Sequence, residues 1–313
     1  MKMSENKVTV LVATYNNEKY IEELLNSLLS QTHKNLDIVI RDDGSSDGTL
    51  SVVEKIRNND SRIRMLEGGN KSPGAMTNFF TLLINTDGEY TMFCDADDVW
   101  KEDKVERTLK KMLEGEQLYS KDTPILVHTD LTVVDENLNL ISGSLFRYEK
   151  LSPERTGLKE CLVQNTVTGC TLMINRALKE MVKEVPSHAV MHDWWLALVA
   201  SAFGKIIVLN DQTVLYRQHQ KNQVGAYNSK NLTSNFRRLI NKERTKRIYG
   251  AMFKQAECFA ETFNDLLDEK QHSVIAGYGE MQRLSKIKRI IRIIKGRYYK
   301  NTLVRNIGQF IVI

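Results

Sequence analysis

Cysteine is scarce here, with four residues in 313 and no C-x-x-C pair, so neither a zinc knot nor a disulfide scaffold is suggested. Cys94, Cys161, Cys170 and Cys258 are scattered through mostly apolar contexts, the pattern of reduced thiols in a cytosolic protein. The chain also lacks an apolar run long enough to cross a bilayer, and Val8 to Ala13 is too short for a signal peptide. It has neither G-x-G-x-x-G nor the G-K-[ST] phosphate loop, which excludes dinucleotide dehydrogenases and P-loop nucleotidases. No repeat or low-complexity tract is present. Net charge is only +5, too little to make the whole molecule a polyanion binder, and no nucleic-acid-binding motif accompanies it. What remains is an ordinary soluble composition, 42% apolar and 27% charged.

The first hundred residues alternate strand and helix patterns. Val8–Ala13, Leu36–Ile40, Ile63–Leu66 and Tyr90–Cys94 read as buried strands. Between them, Ile21, Leu24, Leu25, Leu28 and Leu29, then Val52, Val53 and Ile56, then Phe79, Phe80, Leu82 and Leu83 recur at helical spacing. Such alternation predicts an α/β fold with a mainly parallel sheet covered on both faces. Ligands of these sheets bind at the carboxyl ends of strands. Here those ends carry Thr14-Tyr15-Asn16, Asp42-Asp43 and Asp95-Ala96-Asp97-Asp98.

The last of these is the sharpest signal. Three carboxylates within four residues, at the end of a buried strand, are costly near a low-dielectric core unless something positive neutralises them. A divalent cation carrying a diphosphate would do so, since hard oxygen ligands suit Mg²⁺ or Mn²⁺. The alternative is a solvated acidic turn capping a helix that begins near Lys101.

Beyond residue 124 the pattern loosens. Pro124–Asp130 reads as a strand, Val133–Ser142 as a hairpin, Thr168–Ile174 as a strand, Asp193–Ala200 as an apolar helix, and Val214–His219 as a late strand. Past Ala226 the chain turns helical and polar. Arg283 to Ile313 contains no acidic residue and interleaves Lys and Arg with Ile and Leu. That composition reads as a membrane-surface helix, with packing on the catalytic domain or a dimer contact as the alternatives. Anionic lipid attracts each nearby basic residue by about 1 kcal/mol.

With these pieces placed, the chain resembles glycosyltransferase family 2, whose nucleotide-sugar-binding fold is called GT-A. The matching words are Val8 to Asn17, Gln31-Thr32, Ile40 to Thr49, and Asp95 to Asp98, in the family's order and spacing. The resemblance spans roughly residues 7 to 225. It implies a GT-A domain over 1–225 and a helical C-terminal region with a basic tail over 226–313.

The resemblance also implies roles. Thr14 and Tyr15 would contact the base of the donor, Tyr15 by stacking, and Asp43 would accept the base N–H with Asp42 beside it. Asp95 and Asp97 belong to the donor-binding motif. Asp97 and Asp98 face ribose and metal, and His219, in Tyr216-Arg217-Gln218-His219, joins the metal. Arg217 would hold a phosphate. Asp193, after His192, matches the family's general base; read from the residues alone it is as well suited to be a helix N-cap, and His192 is a second candidate base. Thr168-Gly169-Cys170 resembles the loop near the acceptor.

The expected activity is inverting, metal-dependent transfer of a single sugar from a UDP- or dTDP-linked donor to a glycan or polyprenyl-linked acceptor. Mn²⁺ or Mg²⁺ would assist, and the protein would lie at the cytoplasmic face of the membrane. The Tyr-Arg-Gln-His word resembles rhamnosyltransferases, so dTDP-rhamnose is one expected donor. The Gln-x-x-Arg-Trp word of processive synthases is absent, which favours single addition over polymerisation. Nucleotidyl transfer on a related fold and a non-catalytic nucleotide-sugar or membrane scaffold are the alternatives. No nucleic-acid partner is expected; a homo-oligomer stays open.

Overall fold

The computed structural model describes residues 3–67, 74–219 and 242–313. Strands β1 (Val8–Thr14), β2 (Leu36–Asp42), β3 (Ile63–Met65) and β4 (Tyr90–Asp95) form the parallel half of one sheet. The other half contains β5 (Val99–Trp100), β6 (Ile125–Val134), β7 (Leu140–Ser142), β8 (Leu172–Asn175) and β9 (Lys205–Arg217). The strand order is β3-β2-β1-β4-β8-β6-β9-β5, with β7 paired to β6.

The expected α/β class holds, but the sheet is mixed rather than mainly parallel. β8 lies antiparallel between β4 and β6, β5 is antiparallel to β9, and only β6–β9 restores a parallel pair in this half. A central strand buried on both faces shows the same apolar run whichever way it points. Direction was therefore not legible in Leu172–Asn175.

The helices in chain order are α1 (Ile21–Leu29), α2 (Thr49–Arg57), α3 (Ala75–Ile84), α4 (Lys104–Tyr119), α5 (Leu145–Glu149), α6 (Leu158–Val163), α7 (Arg176–Glu180) and α8 (His192–Phe203). After residue 241 come α9 (Lys242–Thr262), α10 (Glu269–Gly279), α11 (Lys286–Gly296) and α12 (Leu303–Val312). Side chains of each central strand alternate between two cores. Val8, Val10 and Val12 of β1 and Tyr90, Met92 and Cys94 of β4 join α1, α2 and α4 on one face. Leu11 and Phe93 turn to the other, which holds α3, α6, α8 and the C-terminal helices. Residues 226–241 and the boundary expected at 225 fall outside the described segments.

The first helix after the acidic stretch starts at Lys104, not near Lys101, because Val99-Trp100 pairs with Leu215 and Val214 of β9. That pairing folds the acidic turn back over the sheet. It also brings the end of β9, and with it His219, against Asp97.

Candidate active site

Strand register assembles the site. Thr14 lies opposite Asp42, and Ala13 opposite Asp95, so the ends of β1, β2 and β4 meet on one rim. The loops beyond them are knit together. Asn17 Oδ1 accepts from Tyr15 N at 3.0 Å and Thr14 Oγ1 at 3.2 Å. Asn16, at φ +53°, donates its N–H to Ser45 Oγ at 2.8 Å and accepts from Ser46 N at 2.8 Å. Asp42 Oδ1 accepts from the N–H groups of Gly44 and Ser45 at 2.9 and 2.7 Å, an Asx turn in which Gly44 sits at φ +90°, where a side chain would strain the backbone.

Asp43 is buried. Its carboxylate accepts from Arg41 Nη1 at 3.1 Å and from Gly74 N at 3.0 Å, while Asn78 ties Arg41 to α3. The ring of Tyr15, by contrast, is half exposed at the rim, free to stack on a planar base. Tyr15→Ala is therefore expected to weaken nucleoside-diphosphate binding by about 1–3 kcal/mol, measured by titration calorimetry, with the fold intact.

The acidic turn divides into two groups. Asp97 Oδ2 sits 2.8 Å from His219 Nε2, and Tyr20 stacks on that imidazole at 5.0 Å. Asp98 is fully buried. Its Oδ1 accepts from Arg217 N at 3.2 Å, and its carboxylate also accepts from the Cys170 thiol. One ligand atom each from Asp95, Asp98 and Cys170 falls within 4.8 Å of the others. The expected trio of Asp97, Asp98 and His219 is thus split: Asp97 pairs with His219, and Asp98 lies with Asp95 and Cys170.

Arg217 requires a correction. It is 3% exposed. Its guanidinium donates to the Asp97 carbonyl at 2.8 Å, to the Glu136 carbonyl at 2.6 Å and to the Glu23 carboxylate, over the face of Tyr20. With its donors directed at protein acceptors, it holds the Asp97 turn against β9 rather than presenting a fork to a phosphate.

Burial dominates the electrostatics. It raises the Asp95 carboxyl to about 7, helped by Asp97 and Asp193, and pushes Asp98 well above the usual range, helped by Asp97 and Asp95. Burial also keeps the Cys170 thiol protonated, so oxygen and imidazole are the donors suited to a cation here. The carboxylates of Asp95, Asp97 and Asp98, like charges crowded on one rim, fit Mn²⁺ or Mg²⁺, hard ions that relieve their repulsion.

Asp193 lies in the first turn of α8, not at its cap, which is Met191. Its carboxylate accepts from Trp194 N at 2.6 Å and from the Gly169 backbone. Burial raises it to about 7, and it is near enough to Asp95 to raise that group too. A Cβ on Gly169 would lie 2.7 Å from His192 Nε2, so the loop before β8 approaches α8 only because that residue is glycine. His192 is sealed between Phe79 and Phe93, and burial lowers it to about 3. It is a neutral core residue and no base. Trp195 is also core, packed on Phe259, whereas half-buried Trp194 donates its indole N–H to the Cys161 carbonyl.

The sign of the Asp193 shift gives a stability prediction. Above about pH 4 an unfolded Asp is ionised, but the folded carboxyl keeps its proton until about pH 7. The folded state binds more protons over that window, so this group's contribution to stability falls as pH rises. Asp193→Asn is expected to stabilise the metal-free protein, by at least about 1 kcal/mol more at pH 8 than at pH 5 in denaturant melts. Comparing two chains that share buried His128 and His192 cancels their opposite pH trend.

Sequence reasoning missed several supporting residues. Lys104 is buried beneath the turn, 4.5 Å from the Trp100 ring centroid, and burial lowers it to about 8 against the opposing pull of Cys170, Cys94 and Asp98. Tyr20 and Glu23, which pack on His219 and Arg217, lie on an otherwise unremarkable helix start. Only tertiary contact identifies them.

A family model described as Glycosyl transferase family 2 matches residues 9–182. TuaG of Bacillus subtilis (strain 168), named provisionally as a teichuronic acid biosynthesis glycosyltransferase, is 31% identical over 63% of this chain and 73% of its own. The dTDP-rhamnosyl transferase RfbG of Shigella flexneri is 30% identical over 69% of this chain and 74% of its own. Among solved structures, S. aureus TarS 1-349 in complex with UDP-GlcNAc superposes with a TM-score of 0.56, covering 97% of this chain and 90% of that one at 19% identity.

Proposed function

The chain belongs to glycosyltransferase family 2, and from that membership we propose an inverting, metal-dependent transfer of one sugar from a UDP- or dTDP-linked donor. The acceptor is a hydroxyl of a cell-surface glycan or its polyprenyl-linked precursor, and dTDP-rhamnose is the first donor to try. The kinship to proteins named for teichuronic acid biosynthesis and dTDP-rhamnosyl transfer supports the substrate class. The single observation that carries the mechanism is the meeting of the β1, β2 and β4 ends beside Asp193.

Tyr15 and Asp43 receive the base, with Asp42 shaping the loop. Asp97 and His219, with Asp95 beside them, would hold Mn²⁺ or Mg²⁺, which would supply positive charge to neutralise the departing diphosphate. Asp193 takes the proton from the acceptor hydroxyl. The freed oxygen bonds to the anomeric carbon from the face opposite the phosphate, and the carbon–oxygen bond to the diphosphate breaks. A base near pH 7 is ionised at working pH yet basic enough to accept that proton.

A donor screen with Mn²⁺ or Mg²⁺, repeated with chelator, tests the reading. It expects a nucleoside diphosphate as product, an inverted anomeric configuration by NMR, and loss of turnover with chelator. Release of pyrophosphate would point to nucleotidyl transfer instead.

A further inference from the structure

Among the described residues, exposed aliphatic side chains concentrate in the last two helices. On α11, Ile287, Ile291 and Ile294 are 72, 46 and 52% exposed, at spacings that put them on one face. On α12, Leu303, Val304, Ile307 and Ile311 are exposed in the same way. The opposite sides of both helices are anchored: Ile293 of α11 is buried in the core beside Tyr298, and Gln309 of α12 donates to the Tyr298 carbonyl. Each helix therefore packs on the protein and still presents a second apolar stripe. Lys286 Nζ donates to the Ile311 carbonyl and Arg289 to that of Ile313, which ties the two helices together.

The side-chain charge carried by these two helices is of one sign, with Glu280 and Glu149 from other elements pairing Arg292 and Arg305. Lys286, Lys288, Lys295 and Arg297 are exposed, and residues 283–313 include no carboxylate side chain. Two copies meeting through this face would bring like charges together. No helix among the described residues is long and apolar enough to cross a membrane. An aliphatic stripe flanked by cations, on helices too short to span, matches the headgroup boundary of an anionic bilayer.

We propose that α11 and α12 form a docking surface for an anionic lipid bilayer. The helices lie in the plane of the interface, aliphatic residues in the acyl boundary and lysines at the phosphates. This goes beyond the transfer chemistry and stands or falls apart from it, because docking is read without donor or acceptor.

The test is flotation of the full chain with vesicles of phosphatidylglycerol in phosphatidylcholine, against phosphatidylcholine alone. The wild type is expected to float with the anionic vesicles and at least about tenfold less with the neutral ones. Lys288→Glu with Lys295→Glu should cut partitioning by roughly fivefold or more per residue, and high salt should mimic it. Ile287→Gln with Ile291→Gln, at exposed positions, should cut it at least about tenfold with unchanged circular dichroism and transfer to a soluble acceptor. Equal binding to both vesicles, no flotation, or flotation indifferent to the isoleucine pair would overturn the proposal. So would a concentration-dependent dimer that the same pair dissolves, in a protein that ignores vesicles.

Discussion

Asp193→Asn is expected to lower kcat by about 10²–10⁴-fold while donor affinity stays within about twofold. The carboxylate is the one ionisable group on α8 that faces the rim, since His192 is sealed between two phenylalanine rings and does not ionise. Asparagine keeps an oxygen that can accept from Trp194 N, so the first turn of α8 need not move. The wild-type rate should rise with pH through about 7 and level off, because the base works only when ionised. The residual rate of the variant should lose that limb. The gain in metal-free stability predicted for the same substitution is the complementary signature: a group held at a cost to the fold because the reaction needs it. A variant with undiminished turnover would remove Asp193 from the mechanism.

Asp97→Asn is expected to cost about 10²–10³-fold in turnover and to abolish its dependence on Mn²⁺ concentration. Asp97 is the acid whose side chain faces the imidazole of His219 at 2.8 Å, and the turn carrying it is pinned from behind by Arg217. His219→Ala should raise the Mn²⁺ concentration needed for half-maximal rate by about 10-fold or more, with a smaller loss at saturation. Asp98→Asn tests a different element. Asp98 braces the end of β9 through Arg217 N, so its loss should register in thermal stability as well as in rate. Equal metal dependence in wild type and Asp97→Asn would place the cation elsewhere.

The parallel half of the sheet was legible because its signals are local. Apolar runs of strand length alternate with helical spacings, and each strand of β1, β2 and β4 ends in a polar word that the register then aligns. Asp193 was singled out as a candidate base only through the family's word, since an aspartate opening an apolar helix looks like a cap until the helix is seen to start at His192. The misread residues depend on long-range contact. Arg217 looked like a phosphate ligand because its partners, Glu23, Glu136 and Asp97, lie far away in sequence. The first half of β9 was not read although Gly204 caps α8 just before it, at a close approach to the Pro124 carbonyl that only glycine permits. The basic tail offered packing and membrane as rivals; each of its helices packs one face on the protein and leaves another exposed.

The central claim is that a divalent ion on the Asp97 side of this rim couples the protein to the diphosphate of its donor. Titration calorimetry of UDP and of dTDP, with Mn²⁺ and with chelator, into wild type and Asp97→Asn measures that coupling directly. The account predicts at least about tenfold tighter nucleotide binding with Mn²⁺ in the wild type and no such gain in the variant. Nucleotide affinity that ignores the metal in both proteins would contradict it.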